Sequence, residues 1–134
     1  MILREVLHAH IPTLTAESTF RDAVDKMDVY QFPALVVDDG DISPTHVVTE
    51  GDLVRGVQLR GQLVGLSGEK IAVFASPDPF CLGPGVEISE ALHHMLDRGL
   101  SVLPVVEEGR LIGMCLRVDL MQAMLMDAAT TVRS

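Results

Sequence analysis

Apolar residues recur along this chain in two rhythms. Phe20, Ala23, Val24 and Met27 stand three and four apart, as do Ile88, Ala91, Leu92, Met95 and Leu96, the spacing that gathers side chains on one face of a helix. Ser18 or Thr19 is placed to cap the first of these helices and Gly99 to stop the second. After each helix come short β-branched runs, residues 35–37 with 46–48 and 102–106 with 111–116, separated by acidic, glycine-bearing turns such as Glu107-Glu108-Gly109-Arg110. These read as hairpins. Beyond Asp52 and Asp119 the spacing is helical again (Leu53, Val54, Val57; Leu120, Met121, Met124, Leu125), and an aspartate at such a point can cap the first backbone N–H groups. A short extended segment, Thr13-Leu14 or Phe80-Cys81-Leu82, precedes each set.

The two sets are copies of one pattern. Phe20 to Met27 matches Ile88 to Met95 at an offset of 68, the run Phe32-Pro33-Ala34-Leu35 matches Leu103-Pro104-Val105-Val106 at 71, and Val47 to Leu53 matches Met114 to Leu120 at 67. An offset that drifts in this way implies three residues gained before the second proline strand and four lost in the hairpin that follows. The reading is an α/β chain of two repeats, 1–60 and 71–134, joined by a glycine-bearing linker at 61–70 and packed as one compact module. Each repeat carries a small β-sheet and two helices.

Composition narrows the functions. Nineteen acidic against ten basic residues leave a net charge of −9, which repels a polyphosphate backbone or an anionic membrane surface. No apolar run reaches the ~20 residues of a spanning helix, and Met1-Ile2-Leu3-Arg4-Glu5 is too charged for a signal peptide, so a cytoplasmic protein contacting neither membrane nor nucleic acid is expected. Cys81 and Cys115 lie in no metal or redox spacing and read as buried thiols.

Four features taken in order resemble the CBS domain, the repeat that pairs to form a Bateman module. They are the Ala-x-x-x-Met helix (Ala23 to Met27, Ala91 to Met95), the apolar-Pro-apolar strand, the acidic hairpin, and an ending in which Thr49-x-x-Asp52 and Leu116-x-x-Asp119 follow paired apolar residues. The resemblance spans about Leu3 to Met124. It implies two repeats related by pseudo-twofold symmetry, with clefts between them that take adenine nucleotides or adenosyl compounds, and no catalytic chemistry.

In the first cleft the resemblance implies Thr49, Asp52, Asp78, Phe80, Leu100, Ser101 and Val102; in a weaker second cleft, His10, Pro12, Val29, Tyr30, Gln31, Arg117 and Asp119. The chemistry is plain. A carboxylate at a helix start can accept from both ribose hydroxyls, and a hydroxyl three residues earlier can meet a phosphate beside the free N–H groups of that helix. The same aspartates also serve as simple caps, and Phe80 and Tyr30 as simple core residues. The chain departs from the family pattern at two points. His46 stands in place of the motif glycine, where a side chain narrows the first cleft, and Leu116 removes the second hydroxyl. Glu50 and Gly51, at positions often basic where triphosphates bind, favour AMP, ADP or S-adenosylmethionine over ATP as a regulatory ligand, with no obligatory cofactor.

His8, His10, His93 and His94 complete no four-ligand spacing, and no nucleophile elbow or phosphate loop is present, so neither a metal site nor an enzyme is expected. The methionines at 121, 124 and 126 suit core filling or an adaptable contact. In CBS pairs the helix after each motif aspartate builds a dimer, so a homodimer acting on an effector protein outside this chain is implied. The competing reading is a structural dimerisation or interaction module with degenerate clefts.

Overall fold

The computed structural model describes residues 1–38 and 44–133, with side chains as far as 128; the tip of the first acidic hairpin, 39–43, lies outside the described residues. Two compact units make up the chain: Ile11–Pro79, and Met1–His10 together with Phe80–Ser134.

The Ile11–Pro79 unit holds a four-stranded sheet in the order β1 (Thr13–Leu14), β2 (Ala34–Val37), β3 (His46–Thr49), β4 (Ser76–Pro77). β1 runs parallel to β2, and the other neighbours are antiparallel. Helix α1 (Phe20–Tyr30) starts where Thr19 Oγ1 accepts from Asp22 N (3.2 Å) and Asp22 Oδ2 accepts from Thr19 N (2.9 Å), a reciprocal cap. Phe20, Ala23 and Met27 of that helix are buried against Leu35, Val37 and Val48 of the sheet. Val24, on the edge of the same stripe, stays 42% exposed. Helix α2 (Glu50–Arg60) follows β3 directly. The stretch read as a linker, 61–70, is structured, since α3 (Leu63–Ser67) drives Leu66 into the core, and just beyond it a 3₁₀ turn, Ile71–Val73, adds Ile71.

The other unit repeats the plan with the chain's first residues included. β5 (Val102–Glu107) pairs antiparallel with β6 (Arg110–Leu116) through a turn in which Glu108 and Gly109 both have positive φ (51° and 79°), the geometry whose twist suits a two-residue hairpin. Leu82 bridges parallel to Val105 on one edge, and His8 bridges antiparallel to Met114 on the other. Helix α4 (Ile88–Arg98) buries Ile88, Ala91 and Met95, and ends on Gly99 at φ 65°. Helix α5 (Arg117–Arg133) buries Leu120 and Ala123 beside them. Leu3, on the 3₁₀ turn Leu3–Glu5, is fully buried in this core.

Strand pairing corrects the alignment of the repeats. Ala34 faces Thr49 and Val102 faces Leu116, while Leu14 bridges Val37 as Leu82 bridges Val105. The offset therefore holds at 68 from Leu14 and Leu82 to Ala34 and Val102, and becomes 67 only across the hairpin. Pro33 precedes its strand, whereas Pro104 lies inside β5 opposite Met114, so the two prolines are not equivalent and the offset of 71 is wrong. The residues equivalent to Leu100, Ser101 and Val102 are Phe32, Pro33 and Ala34. Backbone bonds agree: Glu50 N donates to Pro33 O (3.2 Å) as Arg117 N donates to Ser101 O (2.9 Å).

Candidate functional site

The first candidate centre is the β3–α2 junction. Helix α2 begins at Glu50, two residues before Asp52, so the cap is Thr49 and not the aspartate. Thr49 Oγ1 accepts from Asp52 N (3.3 Å), and Asp52 Oδ2 accepts from Thr49 N (2.9 Å). Both residues thus satisfy backbone donors that a helix start leaves open. Asp52 is the one buried charged residue among those described, 5% exposed. Its Oδ1 accepts from Arg55 Nη2, whose side chain is 65% exposed. A carboxylate offers about four lone-pair directions, so the two bonds leave acceptor capacity for further hydroxyls. Arg55 is the residue the sequence reading missed. The cation stands not at positions 50 and 51 but one turn further on, at the i,i+3 spacing at which helix side chains meet.

Asp78 of the same unit is exposed and left-handed (φ 49°), with its N–H donated to Thr45 O (3.1 Å). Pro12 is buried. Val29 and Tyr30 close the last turn of α1 at 75% and 56% exposure, and Gln31 is its left-handed C-cap (φ 51°). Tyr30 is therefore not a core residue, and at the corrected offset these three match Asp97, Arg98 and Gly99. His46, half-buried, has Nδ1 3.0 Å from Thr45 Oγ1.

The equivalent junction in the other unit, β6–α5, is built differently. Leu116 has no hydroxyl to offer, and Asp119 Oδ2 lies 2.5 Å from His8 Nε2. Arg117, a candidate for the second cleft, donates from Nη1 to Leu100 O (3.1 Å), a residue assigned to the first. Ser101 is exposed and Val102 buried, while His10 is exposed. Phe80 packs against the core and also carries Arg98 over its ring at 3.9 Å, with the His94 ring 5.4 Å away. One ring face is thus already covered by a guanidinium.

The remaining polar clusters are ordinary. His93 and His94 make exposed i,i+4 contacts with Asp97 (3.2 Å) and Glu90 (3.8 Å). Among the described residues no group of three or more His, Cys, Asp or Glu is placed to hold a metal ion. Burial, and then the charge of Asp119, push the Cys115 thiol up to about 12, and burial raises that of Cys81, so neither supplies a thiolate nucleophile near neutral pH. Among the described residues no helix is long and apolar enough to cross a membrane.

Solved structures share this architecture. A CBS-domain protein from Agrobacterium tumefaciens, ATU1752, is 21% identical with a TM-score of 0.82 over 92% of this chain and 99% of its own. CBSX2, solved in complex with AMP, is 20% identical with a TM-score of 0.79 over 95% and 98%. The CBS domain pair of MJ0100, solved with 5′-methylthioadenosine and S-adenosyl-L-methionine, is 13% identical with a TM-score of 0.80 over 92% and 95%. No curated protein matches. The CBS domain family model matches residues 3–58 and again 71–126, two copies at the offset of 68 that the strand pairing requires, and the chain accordingly belongs to the CBS domain family.

Proposed function

We propose that this chain is a regulatory, non-catalytic sensor that binds an adenosyl ligand, AMP-like or S-adenosylmethionine, and passes its occupancy to an effector protein through conformation or dimer packing. The observation that carries the reading is the buried Asp52. A charge held at 5% exposure with acceptor capacity to spare, beside a threonine hydroxyl and an arginine at a helix start, is suited to a ribose diol with a phosphate next to it. The ligands named for CBSX2 and for MJ0100 are of this class. The other proposed contacts of the first site are Asp78, Phe80, Leu100, Ser101 and Val102. For the second site, around Asp119, the corrected offset replaces Val29, Tyr30 and Gln31 by Phe32, Pro33 and Ala34, alongside His10, Pro12 and Arg117. Arg55 gives a phosphate one nearby cation, while the net charge of −9 still disfavours ATP.

The test is a thermal-shift and calorimetry panel of AMP, ADP, ATP, S-adenosylmethionine and NADH. A ligand at ten times its dissociation constant stabilises the native state by about 1.4 kcal/mol. Asp52→Asn keeps an acceptor for Thr49 N but loses the charge, and is expected to weaken binding about tenfold or more. No shift of the wild type at millimolar concentration ends the sensing reading; a shift undiminished by the substitution moves the site elsewhere.

A second reading, a dimerisation module without ligand, rests on the outer helix faces. Helix α5 turns Leu120 and Ala123 inward and leaves Val118, Met121 and Leu125 exposed at 65%, 49% and 68%. In the other unit an open groove of about 670 Å³ runs between α1, α2 and α3, lined by Val24, Met27, Leu53, Val54, Val57 and Leu63 among others. Both readings include a homodimer, since apolar helix faces of this kind are costly to leave in water. Sedimentation at tens of micromolar is expected to show a dimer that Met121→Glu with Leu125→Glu dissociates; a wild type that is purely monomeric would count against both.

A further inference from the structure

The two motif aspartates, equivalent in sequence, have different partners. Asp52 is tied within its own helix to Arg55 and to the threonine cap. The residue equivalent to Arg55 in α5 is Gln122, and that equivalent to Thr49 is Leu116, so the second aspartate has neither. What it has instead is His8, 111 residues away in sequence, brought to it by the single bridge to Met114. The equivalent of His8 in the other unit is Ser76, which has no charge to offer.

We infer that His8 is a latch on Asp119, holding the carboxylate that an adenosyl ligand would need and releasing it as that ligand binds. The inference rests on the function proposed above. His8 Nε2 and Asp119 Oδ2 are 2.5 Å apart, and the side chains are 44% and 37% exposed, so both are within reach of solvent and of a small molecule. A ribose diol that bridges both carboxylate oxygens competes at Oδ2 with the imidazole, and the ligand's gain at this site is reduced by that contact. The His8 backbone is pinned on both sides of the bridge, N donating to Met114 O (2.9 Å) and O accepting from Met114 N (3.0 Å), so release is a side-chain rotation and not a loss of the bridge.

The experiment titrates AMP, and separately S-adenosylmethionine, into the wild type, His8→Ala and His8→Ala/Asp119→Asn by calorimetry. In the wild type two binding steps are expected, the weaker of them at Asp119. His8→Ala is expected to tighten that step about two- to fivefold, the scale of an exposed side-chain contact removed. Adding Asp119→Asn is expected to cancel the gain. A wild type that binds, with a weaker step that His8→Ala leaves unchanged or loosens, overturns the latch and leaves the sensing function standing. If no variant, wild type included, takes either compound, the sensing function fails and the latch falls with it.

Discussion

Leu3→Ala, three residues into the chain, is expected to cost about 2–5 kcal/mol, and the loss is expected in the C-terminal half. Leu3 is fully buried among Ile88, Met95, Leu103 and Leu120, all of the second repeat. Its segment is bound there by a run of backbone hydrogen bonds. Leu3 N donates to Val86 O and Arg4 N to Pro84 O (3.0 Å each), Ile88 N donates to Met1 O (3.0 Å), and His8 exchanges two bonds with Met114. Truncating Leu3 leaves a cavity in a wall built from both ends of the sequence, and such a wall is poorly able to collapse. Ile71, the equivalent residue, is as fully buried in the Ile11–Pro79 unit, so Ile71→Ala serves as the mirror control. Chemical denaturation gives the magnitude and amide exchange the location. With Leu3→Ala the amides of α4, β5 and β6 lose protection first, and with Ile71→Ala those of α1, β2 and β3. A loss below about 1 kcal/mol, or one centred on the first repeat, would contradict the assignment.

That prediction was out of reach of the sequence, and the reason is physical. Helices α1 and α4 announce themselves because a one-sided apolar stripe has a period, and Phe20, Ala23 and Met27 or Ile88, Ala91 and Met95 are indeed the buried residues. β2 is buried at all four positions and β5 at its first four. A strand buried on both faces has no alternation from which to read a register, which leaves a shared proline as the alignment mark, and that mark shifts the offset by three. The edge partners are shorter still, two residues at β4 and a single bridge at His8, too short for any pattern. The candidate site divides in the same way. The Thr49–Asp52 pair is legible because a local cap has a fixed spacing, and Arg55 is legible in principle as an i,i+3 partner. The contacts of Asp119 with His8 and of Arg117 with Leu100 are products of the tertiary fold, and no local spacing encodes them.

The motif glycine gives the second large effect. Gly113→Ala is expected to destabilise by about 3 kcal/mol, the upper end of what overpacking costs, because one of the atoms in the way is backbone. A Cβ at this position would lie 2.7 Å from His8 O and 2.6 Å from Leu7 Cδ1. The His8 carbonyl is held by Met114 N and has nowhere to yield without opening the sheet edge. The hairpin itself does not demand glycine, since the other repeat carries His46 at the equivalent place. What differs is the neighbour: the residue equivalent to Leu7 is Ala75, so the large residue stands on the incoming segment in one unit and on the hairpin in the other. The departure from the family glycine at His46 is thus matched by a smaller partner, and the two positions form a volume-compensating pair. Gly113→Ala made together with Leu7→Ala is therefore expected to cost less than the two single losses added, with a coupling of about 1 kcal/mol or more in a denaturation cycle. Strict additivity would show that the His8 carbonyl alone sets the requirement for glycine, and that the bulk of Leu7 has no part in it.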